Sequence, residues 1–300
     1  YDSIARHAGD CDTRWLDSAE QADLRRYFRE HVNPARYDRI IFFLRFKKEM
    51  RQWRFIRTVP NLVILEHDAY QNYIPNKYAG KYARHYHRMP WVRVLSSGAN
   101  VTARLRQEGI DAVFVPKGYD QQLIHNRQQQ RPIELGFVGS LKSGVYQQRK
   151  QFLEQLAQLE RMEIVRTNSG EDYVDKLNSI RFFASADIGM GEYMIKNFEA
   201  MAAGCVLLAW RQGNGEEEAL GLRDMENIVL YSSLEECRHK LAQLRADAAL
   251  AARIAAAGQA LVEQQYSFEQ LGARIADALR PPLRRRTDYP LSLSQKLFGF

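Results

Sequence analysis

Short apolar runs alternate with longer amphipathic stretches along the chain, and this pattern predicts an α/β fold with parallel sheets. Runs such as Arg39–Leu44, Asn61–Leu65 and Cys205–Ala209 are typical of buried strands. The stretches between such runs carry charges at helical spacing, so we expect helices at Ser18–Val32 and Lys47–Arg57. A regular alternation of strands and helices favours doubly wound domains.

The length and polarity of the chain predict two domains. A chain of 300 residues exceeds the usual single domain. We place a first domain at 1–125, a second at 126–270, and a crossover helix with a basic, apolar tail at 271–300. The polar stretch 121–132 lacks periodicity and is expected to be the linker. A short strand is expected near Thr13–Leu16.

Two glycines, a short helix and a buried strand follow one another between residues 189 and 210. Gly189 and Gly191 allow a turn that side-chained residues resist, and the next helix offers unpaired N–H groups to an anion. Glu199 lies three residues after Lys196, where its carboxylate can accept hydrogen bonds from a diol. The segment suits a phosphorylated ligand; the alternative is an ordinary core helix and strand.

A second candidate ligand loop opens the second domain. The expected strand Ile133–Val138 leads into the glycine loop Gly139–Gly144 and then a helix that carries Arg149 and Lys150. Backbone donors and cations together can share the charge of a diphosphate. The alternative is that Arg149 is an exposed helix residue without a ligand.

A histidine and an aspartate follow an expected strand of the first domain. His67 and Asp68 come directly after Asn61–Leu65 and Glu66, and chemistry in open α/β sheets gathers at the carboxyl ends of strands. Histidine titrates near neutrality and a carboxylate can orient it. The pair can therefore serve as a general base, an electrophile or a substrate clamp. A pair of this kind also arises by chance.

The positive charge is concentrated in the first part of the chain. Residues 1–130 carry 22 Lys and Arg against 14 Asp and Glu, within a net charge of +7 for the whole chain. Tyrosines mix with cations in residues 69–90, where we expect a mobile acceptor loop or a basic surface, with a plain structural loop as the alternative. A basic half suits phosphorylated acceptors, anionic lipids or nucleic acid, or is ordinary solvated charge. The basic, apolar segment 281–300 either docks on an anionic bilayer or packs on the first domain.

The cysteines and the apolar runs limit the class of protein. The three cysteines form no CxxC pair, which argues for a reducing compartment and against a thiolate zinc site. No apolar run approaches the roughly 18 residues that span a bilayer, and no signal peptide opens the chain. We expect a cytoplasmic protein, peripheral on the inner face of the cell membrane.

Two motifs carry a family resemblance. Lys-Asn-Phe-Glu-Ala-Met-Ala-Ala-Gly-Cys-Val-Leu-Leu, which begins at Lys196, resembles the donor-binding signature of GT-B glycosyltransferases, especially the CgeB-like branch and the group similar to glycosyltransferase family 4. Phe198, Glu199 and Gly204 match, and Lys196 stands where Arg is usual. Pro-Lys-Gly-Tyr-Asp, which contains Lys117, resembles the Pro-Asn-Gly-Val-Asp that leads out of GT-B first domains, with Lys in place of Asn.

The resemblance implies a GT-B fold, with two Rossmann-like domains facing across a cleft and a C-terminal helix that crosses back. It implies a retaining, metal-independent transfer of sugar from a nucleotide-sugar to an envelope glycan such as lipopolysaccharide or capsule. Glu199 would hold the ribose of the donor. Family 4 enzymes often carry another Glu eight positions upstream; that position is Gly191 here, and Glu192 is the next residue.

These arguments define the expected site. The catalytic residues are expected to be His67, Asp68 and Glu192. The donor-binding residues are expected to be Gly139, Ser140, Arg149, Lys150, Gly191, Tyr193, Lys196, Asn197, Phe198 and Glu199. The acceptor-binding residues are expected to be Tyr70, Tyr73, Lys77, Lys81 and Arg84. No metal, cofactor or nucleic-acid partner is expected. Two alternatives remain: a non-catalytic GT-B protein that binds anionic glycan, lipid or nucleic acid, and a GT-B epimerase.

Overall fold

The computed structural model describes residues 1–141 and 146–289, which form two compact α/β units. The first unit contains residues 1–115 and the chain from Gly272 onward, and the second contains residues 116–271. The sequence placed the first boundary ten residues later, so the segment from 116 to 125 joins the second unit instead. Part of the predicted glycine loop, 142–145, and most of the predicted tail, 290–300, lie outside the described residues.

Nine strands and thirteen α-helices are present in the described residues. The strands are β1 (Ile40–Phe42), β2 (Leu62–Glu66), β3 (Arg93–Ser96), β4 (Asp111–Phe114), β5 (Ile133–Val138), β6 (Glu163–Val165), β7 (Ile180–Ser185), β8 (Val206–Trp210) and β9 (Val229–Tyr231). The helices are α1 (Asp2–Ala8), α2 (Leu24–His31), α3 (Phe46–Arg51), α4 (Trp53–Ile56), α5 (Lys81–Tyr86), α6 (Ala99–Gln107), α7 (Gln147–Leu159), α8 (Glu171–Asn178), α9 (Ile195–Ala202), α10 (Glu216–Leu220), α11 (Leu234–Ala246), α12 (Ala248–Gln265) and α13 (Phe268–Leu279).

The sheet of the first unit is parallel, in the order β1-β2-β3-β4. All five residues of β2 are buried, as its unbroken apolar run predicts for a sheet covered on both faces. On one face Val63 and Leu65 of β2 and Leu95 of β3 form a core with Ile275 and Leu279 of α13. The last helix therefore completes the core of the first unit.

The sheet of the second unit is also parallel, in the order β6-β5-β7-β8-β9. The chain starts at β5, adds β6 on one side, and then places β7 on the other side of β5. The carboxyl ends of β5 and β7 therefore form a topological switch point, where open α/β sheets bind ligands.

Two predicted elements differ from the structure near the start of the chain. Residues 13–16 form no strand, and Trp15 among them is largely exposed. The helix expected at Ser18–Val32 begins only at Leu24, because the Asp23 carboxylate accepts the Arg26 N–H at 3.0 Å and caps it there. The preceding turn is a short 3-10 helix, Glu20–Ala22.

The stretch 69–90, predicted to be a mobile loop or a basic surface, is partly helical and partly buried. It contains a 3-10 helix, Ala69–Asn72, followed by α5. Tyr82 of α5 is buried and stacks on Phe46 of α3, with 3.6 Å between the ring centres. Much of this stretch therefore belongs to the core, because its tyrosines provide apolar surface that is buried, in part against α3.

Gly258 of α12 packs closely against the backbone of the second unit, and its substitution tests this packing. A β-carbon on Gly258 would come within 2.6 Å of the backbone oxygen of Asn227. We expect Gly258→Ala to destabilise the protein by about 1–3 kcal/mol, because backbone atoms must move. Helix propensity alone predicts the opposite sign, a gain of about 1 kcal/mol. Urea denaturation measures the change, with Ala256→Gly at an exposed position of α12 as the control, expected to cost about 1 kcal/mol. A stabilised Gly258→Ala protein would contradict this packing.

Candidate active site

The loop after β5 begins at Gly139, which lies against Lys196 of α9. The Gly139 N–H donates to the Val165 carbonyl at 2.9 Å, which joins the ends of β5 and β6. A β-carbon on Gly139 would lie only 2.7 Å from Cε of Lys196. Gly139 therefore admits the Lys196 side chain against the start of the loop, and Ser140 beside it is half-buried.

A buried carboxylate that the sequence analysis did not single out, Asp187, organises the loop after β7. Asp187 is 2% exposed and pairs with the guanidinium of Arg149. It also accepts the Met194 N–H at 3.1 Å and Nδ2 of Asn197 at 2.6 Å. These partners satisfy its charge in the interior. A signal was available, since Asp187 follows an apolar strand and precedes Gly189 by two residues.

Arg149 and Lys150 are adjacent in α7 but lie in different environments. Arg149 is 4% exposed, and its guanidinium carbon lies 4.2 Å from the centre of the Tyr146 ring. The alternative of an exposed Arg149 is therefore wrong. Lys150 is exposed, with its Nζ 3.7 Å from Oε1 of Glu154 one helical turn away.

The glycine turn before α9 is fixed by residues that precede or belong to α10. Gly189 and Gly191 have φ angles of +73° and +69°, which side-chained residues rarely adopt. The Gly191 N–H donates to Oε1 of Gln212 at 2.9 Å, and the Tyr193 hydroxyl donates to Oε1 of Glu217 at 2.7 Å. Burial and then the Glu217 charge raise the pKa of Tyr193, so its hydroxyl remains a donor. Gln212 and Glu217 were not among the residues expected to form the site.

Glu199, Lys196 and Tyr173 form a half-buried group beside this turn. The Tyr173 hydroxyl donates to Oε2 of Glu199 at 2.5 Å, and Nζ of Lys196 lies 4.9 Å from the Tyr173 ring centre. Burial raises the pKa of Glu199, while the Tyr173 hydrogen bond and the Lys196 charge oppose this shift. Burial lowers the pKa of Lys196. Both charged groups are partly desolvated, so a polar ligand with matching groups would stabilise them.

Glu192 forms a buried ion pair with Lys117 of the same unit. Nζ of Lys117 lies 2.8 Å from Oε1 of Glu192, and the two side chains are 8% and 1% exposed. Lys117 replaces the Asn of the resembled motif, and Glu192 lies one residue from the position where that family often has Glu. Lys117 and Glu192, the two residues that depart from the family pattern, therefore form an ion pair with each other.

The remaining two residues expected to bind the donor lie in the core. Asn197 is buried and gives its Nδ2 to Asp187. Phe198 is buried, with its ring centre 5.1 Å from that of Tyr266. Their packed positions fix the orientation of α9.

In the first unit, three polar side chains lie at the carboxyl end of β2. His67 is half-buried, with its ring centre 5.2 Å from that of Phe43, and Asp68 is exposed. Glu66 is buried; its Oε1 accepts the Asp68 N–H at 2.7 Å and its Oε2 accepts the Tyr86 hydroxyl at 3.2 Å. The buried Glu66 therefore fixes the backbone that carries His67 and Asp68.

The five residues expected to bind the acceptor differ in accessibility. The exposed ones are Lys77, Lys81 and Arg84. Tyr70 is buried in the core, and Tyr73 is half-buried with the guanidinium carbon of Arg104 3.6 Å from its ring centre. The cations of this set, rather than the tyrosines, are therefore open to a ligand.

Metal clusters and membrane spans were also sought in residues 1–141 and 146–289. No group of three or more His, Cys, Asp and Glu side chains in these ranges is placed to hold a metal ion. No helix in the same ranges combines the length and apolar character that crossing a membrane requires.

Comparison with known proteins gives one family and a set of similar folds. A family model described as glycosyl transferase-like matches residues 123–277, which is more than half of the chain. This range begins near the start of the second unit and includes β5 to β9 with the residues around Asp187 and Glu199. No curated protein matches the chain.

Several solved structures resemble most of the chain. Sucrose-phosphate synthase from Thermosynechococcus elongatus matches with a TM-score of 0.63 and 12% identity, covering 91% of this chain and 81% of that one. Anabaena Alr3699/HepE in complex with UDP-glucose matches with a TM-score of 0.65 and 16% identity, covering 86% and 81%. A glycosyltransferase from Rickettsia africae ESF-5 gives 0.56 and 12%, covering 91% and 84%. The TM-scores show that these proteins share a fold of two Rossmann-like units with this chain, and at such low identities they show the fold alone.

The ion pair of Asp187 provides a test of the switch point. We expect Asp187→Asn to destabilise the second unit by about 3–5 kcal/mol, because it leaves the buried Arg149 charge without its counterion. Denaturant unfolding measures this loss. The matched control is Asp175→Asn, which removes an exposed pairing with Arg127 and should cost at most about 1 kcal/mol. Equal effects of the two substitutions would contradict the central role of Asp187.

Glu66 predicts a dependence of stability on pH. Burial, followed by the nearby Glu49 charge, raises the pKa of Glu66 well above its ordinary value. Because the pKa of Glu66 is higher in the folded state than in the unfolded state, its full contribution to the free energy of unfolding is present below the unfolded-state pKa. That contribution is lost, and stability falls, as pH rises through the folded-state pKa. The fall is up to about 1.4 kcal/mol per pH unit. We expect Glu66→Gln to remove this fall between pH 5 and 8.

Calorimetry across this pH range measures the effect, as a transition temperature that falls in the wild type and is flatter in Glu66→Gln. Glu108→Gln replaces an exposed carboxylate of the same unit and should retain the wild-type slope. A slope that is unchanged in Glu66→Gln would show that Glu66 is ionised in the folded state over the whole range.

Proposed function

The chain belongs to the glycosyl transferase-like family and is a glycosyltransferase, and from this premise we propose that its second unit binds a nucleoside diphosphate sugar. The observation that carries the proposal is the position of Glu199 and Lys196, a carboxylate and an ammonium held together beside the switch point of a parallel sheet. The first group suits a ribose diol, and the second suits a diphosphate.

Glu199 is assigned to the ribose of the donor. Tyr173 holds Oε2 of Glu199, so Oε1 is the oxygen assigned to accept a ribose hydroxyl. A hydrogen bond to an ionised carboxylate contributes about 1.5–3 kcal/mol. Binding of the diol would also favour the ionised form of Glu199, whose pKa burial raises in the free protein.

The diphosphate is assigned to the start of the β5 loop and to Lys196. The Gly139 N–H is already bound to the Val165 carbonyl, so the ammonium of Lys196 is assigned to the charge of the diphosphate, with Ser140 beside it. Arg149 is assigned a supporting role, because it acts on the site through Asp187. Lys196 would neutralise charge on the leaving group, as a metal does in other enzymes, and we therefore propose metal-independent transfer. The UDP and UDP-glucose complexes of Anabaena HepE support a uridine nucleotide as the first donor to test.

The acceptor is assigned to the first unit. His67 and Asp68 at the carboxyl end of β2 would contact the acceptor hydroxyl, with His67 as the general base. We propose an envelope glycan, such as lipopolysaccharide or capsule, as the acceptor, because the basic first part of the chain suits an anionic, membrane-linked molecule. We also propose a cytoplasmic enzyme at the inner face of the membrane, and retention of the anomeric configuration as the family resemblance implies.

Nucleotide titration tests the donor assignment. We expect one of UDP, GDP, ADP, CMP and dTDP to raise the melting temperature of the wild type by mass action. Glu199→Gln should weaken that nucleotide about 10–100-fold in calorimetric titration, because one charged hydrogen bond is lost. Tyr173→Phe should weaken it less, because it only frees the Glu199 carboxylate to rotate.

The control is Glu235→Gln, an exposed carboxylate in α11 of the same unit, which should bind like the wild type. If no nucleotide binds the wild type, or if Glu199→Gln and Glu235→Gln bind equally, the donor assignment is wrong.

A further inference from the structure

Three arginines surround two tryptophans in the first unit, away from the strand end that carries His67. The guanidinium carbon of Arg57 lies 5.4 Å from the ring centre of Trp53 and 5.8 Å from that of Trp91. Arg88 lies 4.9 Å from Trp53, and Arg286 lies 5.2 Å from Trp91. These five residues are the arginine-tryptophan cluster.

The cluster lies near the amino-terminal edge of the first sheet. Arg57 follows α4 and precedes β2, while Arg88 and Trp91 follow α5 and precede β3. All strands of this sheet are parallel, so the amino ends of β2 and β3 share one edge. His67 and Asp68 follow the opposite, carboxyl end of β2. The cluster is therefore separate from the position assigned to the acceptor.

The cluster contains buried donors that lack acceptors. Arg57 is 7% exposed, and its Nε and Nη2 make no hydrogen bond within the described residues. Trp91 is equally buried, and its Nε1–H also makes none there. An unsatisfied buried donor is unfavourable, and more so when it is charged. Burial lowers the pKa of Arg57, and the Arg286 charge adds to this effect.

The cluster also carries positive charge on each of its three arginines. No carboxylate of the described residues forms an ion pair with Arg57, Arg88 or Arg286. Other arginines of this unit are engaged: Arg93 pairs with Asp111 and donates to the Pro282 carbonyl at 3.0 Å. The cluster thus combines three positive charges with donors that have no acceptor in ranges 1–141 and 146–289.

We propose that the arginine-tryptophan cluster binds a phosphate group. The planar fork of a guanidinium matches phosphate oxygens in pairs, and the indole faces hold the guanidinium groups in place. Three cations that form no ion pair in the described part of the chain favour a phosphate, which carries up to two charges, over a carboxylate, which carries one. The phosphate belongs either to a soluble phosphorylated compound or to a lipid headgroup.

Titration of the full-length chain with inorganic phosphate tests the site, with acetate at equal ionic strength as the reference. We expect phosphate to bind and acetate to bind at least tenfold more weakly. Arg57→Gln and Arg286→Gln should each weaken phosphate binding about tenfold or more. Arg286 is exposed, so its variant remains informative if Arg57→Gln does not fold. Arg25→Gln, an exposed arginine in α2, is the matched control and should bind like the wild type.

Vesicles identify the source of the phosphate. Sedimentation with phosphatidic acid vesicles, weakened about tenfold by Arg286→Gln and absent with phosphatidylcholine alone, would support a lipid headgroup. Phosphate binding that depends on Arg57 and Arg286, without sedimentation, would support a soluble ligand. The proposal is overturned if neither occurs, if acetate binds as well as phosphate, or if Lys196→Gln in the second unit removes phosphate binding while Arg57→Gln and Arg286→Gln retain it. The last result would leave the nucleotide assignment intact.

Discussion

The geometry of the second unit's ligand face depends on the buried charge of Asp187. A carboxylate in the interior is tolerated only with a counterion and hydrogen bonds, and Asp187 draws them from Arg149 in α7, the Met194 N–H and Asn197 in α9. These partners lie on two segments, α7 after β5 and the start of α9 after β7. Because all three groups bond to the same carboxylate, the start of α9 is fixed relative to β7 before a ligand binds. Glu199 and Lys196, which flank Asn197 in α9, are thereby preorganised.

The pairing of Lys117 with Glu192 shows how a departure from a sequence pattern can be compensated. An isolated buried Glu192 would be costly, and so would an isolated Lys117, but the pair is neutral and hydrogen-bonded at 2.8 Å. The interaction joins the first residues of the second unit to the glycine turn before α9. Two positions that each look anomalous in sequence are therefore consistent with each other in the structure.

The sequence was sufficient for features that depend on local pattern. Apolar runs predicted the parallel strands, and the two Rossmann-like units agree with the glycosyltransferase folds that the chain resembles. Residues whose role depends on distant partners were missed, because Tyr173 meets Glu199 and Gln212 meets Gly191 only after folding. The segment from 116 to 125 was likewise placed in the wrong unit, since its polar composition does not reveal which core it joins.

One misjudged segment carried a local signal that composition obscured. Tyr78, Tyr82 and Tyr86 are spaced four residues apart, which is the spacing of one helix face, and Tyr82 and Tyr86 are buried in α5. Counting tyrosines and cations in 69–90 indicated a ligand-binding loop, whereas their periodicity indicated a helix with a buried face. Periodicity was the better guide because it reflects what the side chains pack against.

The excess of positive charge in the first part of the chain divides into groups with different physical roles. Arg39 donates to the carbonyl of Leu279, the last residue of α13, and Arg93 donates to that of Pro282 just beyond it, so both hold the end of this helix in the first unit. The arginine-tryptophan cluster has no such partner in the described residues. The composition gave the excess of positive charge. It could not distinguish arginines that bond to the protein from arginines that can bind an anion. The cluster lies near the amino ends of β2 and β3, whereas His67 and Asp68 follow the carboxyl end of β2.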